Sequence, residues 1–244
     1  MRATLLFQPV ILLEIATKRP LMKQLLLDIA ATVPPTLENF LPGRNAELLH
    51  ALRAILQGEV GERFIYLWGE SGSGRSHLLR AWILAAQLRG LPAAYVPGGI
   101  PLRWADGGLI AVDDVARLDQ DGQIALFHLY NRLKETGGAL LVSGPVAPGG
   151  LCLRPDLLTR LGWGLVYQVH GLNDEEKAIA LQAHARERGF SLPQEVLDYL
   201  LRHWRRDLPS LMVVLDALDR YTLEQQRPVT LPLLRQLLQL ELEL

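Results

Sequence analysis

The chain has 244 residues, and its charge is nearly balanced, with 25 lysines and arginines against 26 aspartates and glutamates. This length allows one large domain or two small ones, and a core of that size needs no disulfide or metal for stability. The 49% hydrophobic share argues against disorder, and the net charge of −1 argues against a protein that holds nucleic acid mainly through its overall charge. The single cysteine cannot form an internal disulfide, which fits a reducing, cytoplasmic location.

The N-terminal segment is apolar but has no clear membrane character. Residues 3–16 are interrupted by Gln8, Pro9 and Glu14, and the stretch is shorter than the about 20 residues that span a bilayer. We favour an extension upstream of a natural start at Met22, or a disordered tail. The alternatives are a packed N-terminal element and a secretion signal. No later apolar run is long enough for a membrane span.

The hydrophobic spacing then predicts helices and strands in alternation. In chain order they are helix 45–57, strand 63–68, helix 76–89, strands 93–97 and 108–113, helix 122–136, strand 139–143, helix 155–161 and strand 165–169. Only helices follow, over 174–188, 193–204, 207–224 and 230–241. Five strands alternating with helices predict an α/β domain with a parallel, doubly wound sheet. We therefore divide the chain into a tail (1–32), an α/β domain (33–171) and a small all-α domain (172–244).

A glycine-rich loop with the sequence GESGSGRS lies between the first predicted strand and the next helix. This context is typical of a phosphate-binding loop, because its amide groups and the helix N-terminus face an anion. The residues expected to hold a nucleotide here are Gly69, Gly72, Ser73, Gly74, Arg75 and Ser76. The hydroxyl of Ser76 is the expected Mg²⁺ ligand. The alternative, a Gly/Ser turn without function, is disfavoured by the flanking elements.

Arg75 stands where such loops usually have lysine. Arginine keeps the positive charge and binds phosphate oxygens through its planar fork, but it is not a compact point charge between two phosphates. We therefore expect nucleotide binding to survive and hydrolysis to be slow.

Two carboxylates follow the apolar strand that contains IAVDD. Parallel strands present their C-terminal ends to the ligand, so Asp113 is expected to hold Mg²⁺. Asp114 stands where the water-activating base is commonly glutamate, and its side chain is one methylene shorter. The alternative is a solvated turn at the end of the strand.

Seven segments of the chain resemble the AAA+ ATPase module of the bacterial replication initiator DnaA. They are FLPGRN (40–45), YLWGESGSGRSHLL (66–79), IAVDD (110–114), LFHLYNRLKETG (126–137), DLLTRLGWG (156–164), LNDEEKAIALQAHARERGFSLP (172–193) and RRDLPSLMVVLDALDR (205–220). Within that family the chain looks most like the short members that inactivate DnaA, and the resemblance covers about residues 22–240. It implies an AAA+ P-loop core with a five-stranded parallel sheet and a small helical lid.

The resemblance also implies roles for residues outside the phosphate loop. Asn45 belongs to the segment near the adenine. His77 lies beside the phosphate loop, where we favour a structural role over a catalytic one. Ser143 stands near the γ-phosphate, although the Asp-Arg pair that usually follows is absent here. Arg206 stands at the lid position that senses the nucleotide.

Arg160 stands where the family has its arginine finger. In such assemblies one subunit inserts this arginine into the nucleotide site of its neighbour, where it stabilises charge on the transferring phosphoryl group. The alternative is a surface arginine paired with Asp156.

A short segment at 22–28, with the sequence MKQLLLD, looks like the peptide that binds the DNA polymerase III sliding clamp. Gln24 would bond to the rim of a clamp pocket, while Leu25 and Leu27 fill its apolar interior. The alternative is a tail helix that packs on the core.

The resemblance implies a negative regulator of replication initiation that holds ADP, or ATP, with Mg²⁺. With the clamp on DNA it would stimulate hydrolysis of the ATP on DnaA through Arg160, while its own ATPase is weak or absent. The alternatives are an autonomous AAA+ ATPase or loader that remodels another protein, a DnaA-like DNA-binding adaptor, and a scaffold without finger chemistry. Strong direct DNA binding and a membrane partner are not expected, and homo-oligomers stay open.

Overall fold

The computed structural model describes residues 34–59, 61–98, 108–204 and 207–242. The strands in these ranges are β1 (Phe64–Trp68), β2 (Ala93–Val96), β3 (Leu109–Val112), β4 (Ala139–Gly144) and β5 (Leu165–Gln168). The helices are α1 (Ala46–Gln57), α2 (Arg75–Leu88), α3 (Gln120–Thr136), α4 (Pro155–Leu161), α5 (Asp174–Glu187), α6 (Gln194–His203), α7 (Leu208–Gln225) and α8 (Leu231–Leu242). Short 3-10 turns cover Val115–Arg117 and Pro148–Gly150. The predicted tail (1–32), with the segment 22–28, lies outside the described residues.

The five strands form one parallel sheet in the order β2-β3-β4-β1-β5. Parallel strands need crossover connections, and the helices α2, α3 and α4 lie in the connections from β1 to β2, from β3 to β4 and from β4 to β5. The strand β4 is buried along its whole length, whereas the edge strand β5 is largely exposed. The predicted five-stranded parallel sheet is confirmed, and the carboxyl ends of β1, β3 and β4 lie side by side.

Side chains alternate between the two faces of the sheet, and each face has its own apolar cluster. Ile65 and Leu67 face α1 and α2, where Leu52 and Trp82 are fully buried. Tyr66 points to the other face, against α3 and α4. Burial of each large side chain contributes about 1.5–3 kcal/mol relative to exposure, so the two clusters fix the sheet between its helical layers.

The helix α3 begins two residues earlier than predicted. The carboxylate of Asp119 accepts a hydrogen bond of 2.8 Å from the Gly122 amide and so caps the helix N-terminus. The hydrophobic spacing starts only after this polar first turn, which explains the late prediction.

The helices α5–α8 form the predicted all-α lid around a separate apolar cluster. Asn173 and Glu176 make a capping box at the start of α5, since each side chain accepts a 2.8 Å bond from the backbone amide of the other. Within the described residues, no helix combines the length and the apolar character that crossing a bilayer requires.

Candidate functional site

The loop between β1 and α2 is shaped by its glycines. Gly72 and Gly74 have φ angles of 79° and 100°, which side chains other than glycine rarely adopt. A Cβ atom at Gly74 would lie 2.7 Å from the ring of Phe40, and one at Gly69 would lie 2.5 Å from the carbonyl oxygen of Val169. The loop is therefore held tightly between the segment before α1 and the end of β5.

The hydroxyl of Ser73 is buried and has no hydrogen-bond partner among the described residues. An unpaired buried hydroxyl is costly and therefore rare. Together with the unpaired amide groups of the first turn of α2, it makes the loop suitable for an oxygen-rich anion such as a phosphate.

Arg75, the first residue of α2, donates a hydrogen bond to the carbonyl oxygen of Gly144 at the end of β4. Gly144 has no room for a side chain, since a Cβ atom there would lie 2.0 Å from the hydroxyl of Tyr66. That hydroxyl in turn donates a 2.7 Å bond to the carbonyl of Val146. The guanidinium of Arg75 thus joins the phosphate loop to the end of the neighbouring strand.

Asp113 is buried at the end of β3, and its carboxylate accepts hydrogen bonds from neighbouring hydroxyl groups. The hydroxyl of Ser143 donates to Oδ1, and the hydroxyl of Tyr95 donates to Oδ2 at 2.7 Å. Burial alone would raise the pKa of Asp113, but hydrogen bonds from Ser143, Ser76 and Tyr95 and the charge of Arg75 hold that pKa below its usual value. Asp113 is therefore an ionised carboxylate beside Ser76, the pair that the sequence predicts for Mg²⁺.

Ser143 connects the two acidic residues. Besides donating to Asp113, its fully buried hydroxyl accepts a 2.9 Å hydrogen bond from the amide of Asp114. Asp114 has a φ of 46°, in the left-handed region, and precedes a 3-10 turn. Aspartate tolerates this conformation better than most residues, and such backbone positions are concentrated at functional sites.

Asn45 lies buried just before α1 and pairs with the backbone after β5. Its side-chain amide donates to the carbonyl of His170 and accepts from the His170 amide, both at 2.8 Å. These bonds fix the segment before α1 against the end of β5. A contact with adenine stays a prediction for Asn45.

His77 is half-buried behind the phosphate loop. Its Nε2 lies 3.0 Å from the carbonyl oxygen of Thr36, which only accepts, so Nε2 carries the proton. Its ring lies 5.5 Å from the ring of Phe40. Burial lowers the pKa of His77, and the bond to Thr36 opposes this only in part. His77 thus supports the segment that covers Gly74.

Arg160 lies apart from this cluster. It is in the last turn of α4, and its guanidinium contacts the rings of Phe127, Tyr130 and Trp163. Asp156 pairs with Arg154 at 2.9 Å, so the alternative of an Arg160–Asp156 pair is wrong.

Two predicted sites fall outside the described residues. They are Arg206, which the sequence predicts in the lid, and the segment with Gln24, Leu25 and Leu27. Conversely, the sequence reasoning missed Tyr95, which bonds to Asp113. The sequence gives one indication of this contact, the hydroxyl of a tyrosine in β2. Because β2 is parallel to β3, the two strands end at the same edge of the sheet.

Comparison with known proteins finds similarity in the helical region and in the fold. Residues 174–238 match the family model described as "Hda, lid domain". Domain III of the replication initiation protein DnaA from Thermotoga maritima superimposes with a TM-score of 0.67 at 20% identity, covering 84% of this chain and 95% of that one. AMPPCP-bound DnaA from Aquifex aeolicus gives 0.64 at 22% identity, covering 80% and 68%. A variant of Thermotoga maritima RuvB gives 0.61 at 15% identity, covering 85% and 72%.

Proposed function

We propose that this chain, whose residues 174–238 match the model of the Hda lid domain and whose core has the fold of DnaA domain III, regulates replication initiation by acting on DnaA. The proposed action is stimulation of the hydrolysis of DnaA-bound ATP. One observation carries it: Arg160 is an arginine whose guanidinium has no hydrogen bond or ion pair among the described residues. Such a group is available to an anion on another molecule.

The residues around the phosphate loop fit a nucleotide with Mg²⁺, and ADP is the proposed resting ligand. The amide groups of Gly72 and Gly74 would hold phosphate oxygens. Ser76 and Asp113 would hold the metal ion, which supplies charge neutralisation between phosphates. The buried, unpaired hydroxyl of Ser73 supports an oxygen-rich ligand here. Arg206 is the proposed lid contact.

Hydrolysis at this chain's own site is proposed to be slow. The guanidinium of Arg75 donates a hydrogen bond to the Gly144 carbonyl. This bond fixes the guanidinium, so it does not act as a mobile point charge between phosphates. Asp114 is a short carboxylate on a left-handed backbone and is a weak candidate for the base. The chain would therefore contribute charge in trans through Arg160 rather than turn over nucleotide itself.

Clamp binding is the second part of the proposal. The segment 22–28 would place Leu25 and Leu27 in an apolar pocket of the DNA polymerase III sliding clamp, with Gln24 at its rim. The clamp on DNA would then concentrate the chain beside DnaA, since a tethered partner reaches a high effective concentration.

The test is a DnaA hydrolysis assay with the clamp loaded on DNA. We expect Arg160→Ala to reduce the stimulated rate by about 10³-fold, the low end of the range for arginine fingers. Gln24→Ala should weaken stimulation only when the clamp is present. Arg154→Ala, which removes a neighbouring arginine already paired with Asp156, is the matched control. Full stimulation by Arg160→Ala would contradict the proposal.

An autonomous ATPase is the second candidate, because Ser76, Asp113 and Ser143 form an intact cluster at the site. A steady-state ATPase measurement on the isolated chain separates the two. Turnover at about 1 s⁻¹ or faster, within the usual range of enzymes, would favour this candidate.

A further inference from the structure

The guanidinium of Arg160 lies among three rings, which we call the aromatic cage (Phe127, Tyr130 and Trp163). Its Cζ atom is 4.1 Å from the ring centroid of Trp163, 5.4 Å from that of Phe127 and 5.8 Å from that of Tyr130. All three distances are within the about 6 Å at which a cation is attracted to a ring face. The Nε atom is buried and has no hydrogen-bond partner among the described residues. Ring faces therefore hold this arginine in place of hydrogen bonds.

This way of holding an arginine keeps its chemistry available. A carboxylate partner would neutralise the charge and occupy the N–H donors. The nearby Asp156 is bonded to Arg154, and Glu62, which acts on Tyr130 through its charge, forms no ion pair with Arg160 in the described part of the chain. Aromatic faces restrict the guanidinium without using its donors, so an incoming anion meets a full positive charge.

The aromatic cage has a side formed by α3, with Phe127 and Tyr130, and an exposed side formed by Trp163. Phe127 and Tyr130 are three residues apart on α3 and so share a face of that helix. Tyr130 is buried, and its ring lies 4.3 Å from that of Phe64 in β1. Trp163 follows α4 and is 55% exposed.

A second cation lies beside the exposed ring of Trp163. The ammonium group of Lys134 is 5.2 Å from the ring centroid of Trp163. An anion that reaches Trp163 from solvent thus approaches two positive charges, one of which is held in a set orientation.

We infer that Trp163 is a positioning residue for Arg160. Its ring holds the guanidinium in the orientation that receives a phosphoryl group of a nucleotide bound to a partner protein. The inference rests on the proposed function, which supplies the partner and its nucleotide. Phe127 and Tyr130 support Arg160 from the α3 side, and Lys134, which contacts Trp163 alone among these rings, adds positive charge beside it.

The experiment titrates the full chain into the DnaA hydrolysis assay with clamp on DNA, and it reads both the maximal rate and the half-saturating concentration. Trp163→Leu should lower the maximal rate about 10-fold, since small misplacements of a reacting group are costly, and leave half-saturation unchanged. Trp163→Phe, which keeps a ring face, should restore most of that rate. Leu88→Ala removes another exposed apolar side chain (79% exposed) and should change neither value.

A second variant and a stability measurement separate folding from positioning. Phe127→Leu removes another wall of the aromatic cage and should lower the maximal rate in the same direction. The thermal midpoint of each variant reports whether it is folded, and only folded variants are compared.

Three results would decide against the inference. An unchanged maximal rate for Trp163→Leu, while Arg160→Ala abolishes stimulation, overturns the inference and leaves the proposed function standing. A change in half-saturation alone assigns Trp163 to the docking surface and also overturns it. Full stimulation by Arg160→Ala overturns the proposed function itself.

Discussion

Arg75 uses its guanidinium on a protein carbonyl at the position where a phosphate loop usually carries a lysine. The bond to Gly144 ties the first turn of α2 to the end of β4. Burial raises the pKa of Asp113, and the positive charge of Arg75 adds to the larger effect of the hydrogen bonds from Ser143, Ser76 and Tyr95 that hold this pKa below its usual value. Arginine in place of lysine at position 75 thus changes the cation that faces the phosphates. It also adds a bond between α2 and β4.

Arg75→Lys should raise the steady-state ATPase of the isolated chain by about 10-fold, because a lysine is a compact charge that is free to follow the transferring phosphoryl group. Asp114 limits the gain, since it is unchanged. The measurement is phosphate release with and without Mg²⁺. Arg89→Lys, just past the other end of α2, is the matched control. An ATPase that falls or stays constant would show that Arg75 does not restrain hydrolysis.

His77 makes stability depend on pH in a defined direction. Its pKa is lowered in the folded chain, so folding favours the neutral ring. This contribution is complete above the ordinary histidine value of 6.5 and is lost as pH falls through the lower folded pKa. In urea unfolding between pH 7.5 and 5, the unchanged chain should therefore lose more stability than His77→Gln. His50→Gln, on the exposed face of α1, controls for the removal of a histidine as such. An equal loss of stability in all three chains would contradict the lowered pKa of His77.

At the scale of elements, the capping box of α5 defines where the lid begins. Its bonds satisfy the amide of Glu176 and the amide of Asn173 at the point where the chain leaves the α/β core. A Cβ atom at Gly43 would lie 3.2 Å from the side chain of Leu172 and 3.4 Å from that of Glu176. The start of the lid therefore also contacts the segment that covers the phosphate loop.

Asn173→Ala should lower the free energy of unfolding by about 1 kcal/mol, the usual value of an N-cap side chain. Hydrogen exchange should rise first in the N-terminal turn of α5. Glu175→Gln changes a first-turn residue that makes no capping bond, and it should have the smaller effect. Equal effects of the two substitutions would mean that the capping box contributes nothing beyond helix charge.

Across the whole molecule, periodicity predicted the order of the elements well, because each element shows its buried face within a few residues. The parallel sheet and a separate helical domain followed from that order. The strand order and the contacts of Asn45, Arg75 and Tyr95 did not, because each joins residues brought together only by tertiary packing; Asn45 and His170, for example, are 125 residues apart. The aromatic cage has the same origin, since its rings come from α3 and from the turn after α4.

Gly144 and Tyr66 also limit which side chains the two positions can carry together. The tyrosine hydroxyl occupies the space into which any side chain at 144 would extend, and Gly144 supplies the carbonyl that Arg75 binds. Among homologues, these two positions should therefore covary: a residue larger than glycine at 144 requires a smaller residue than tyrosine at 66. The carbonyl that Arg75 binds belongs to the backbone at 144, so a paired change of the two side chains can leave that bond in place.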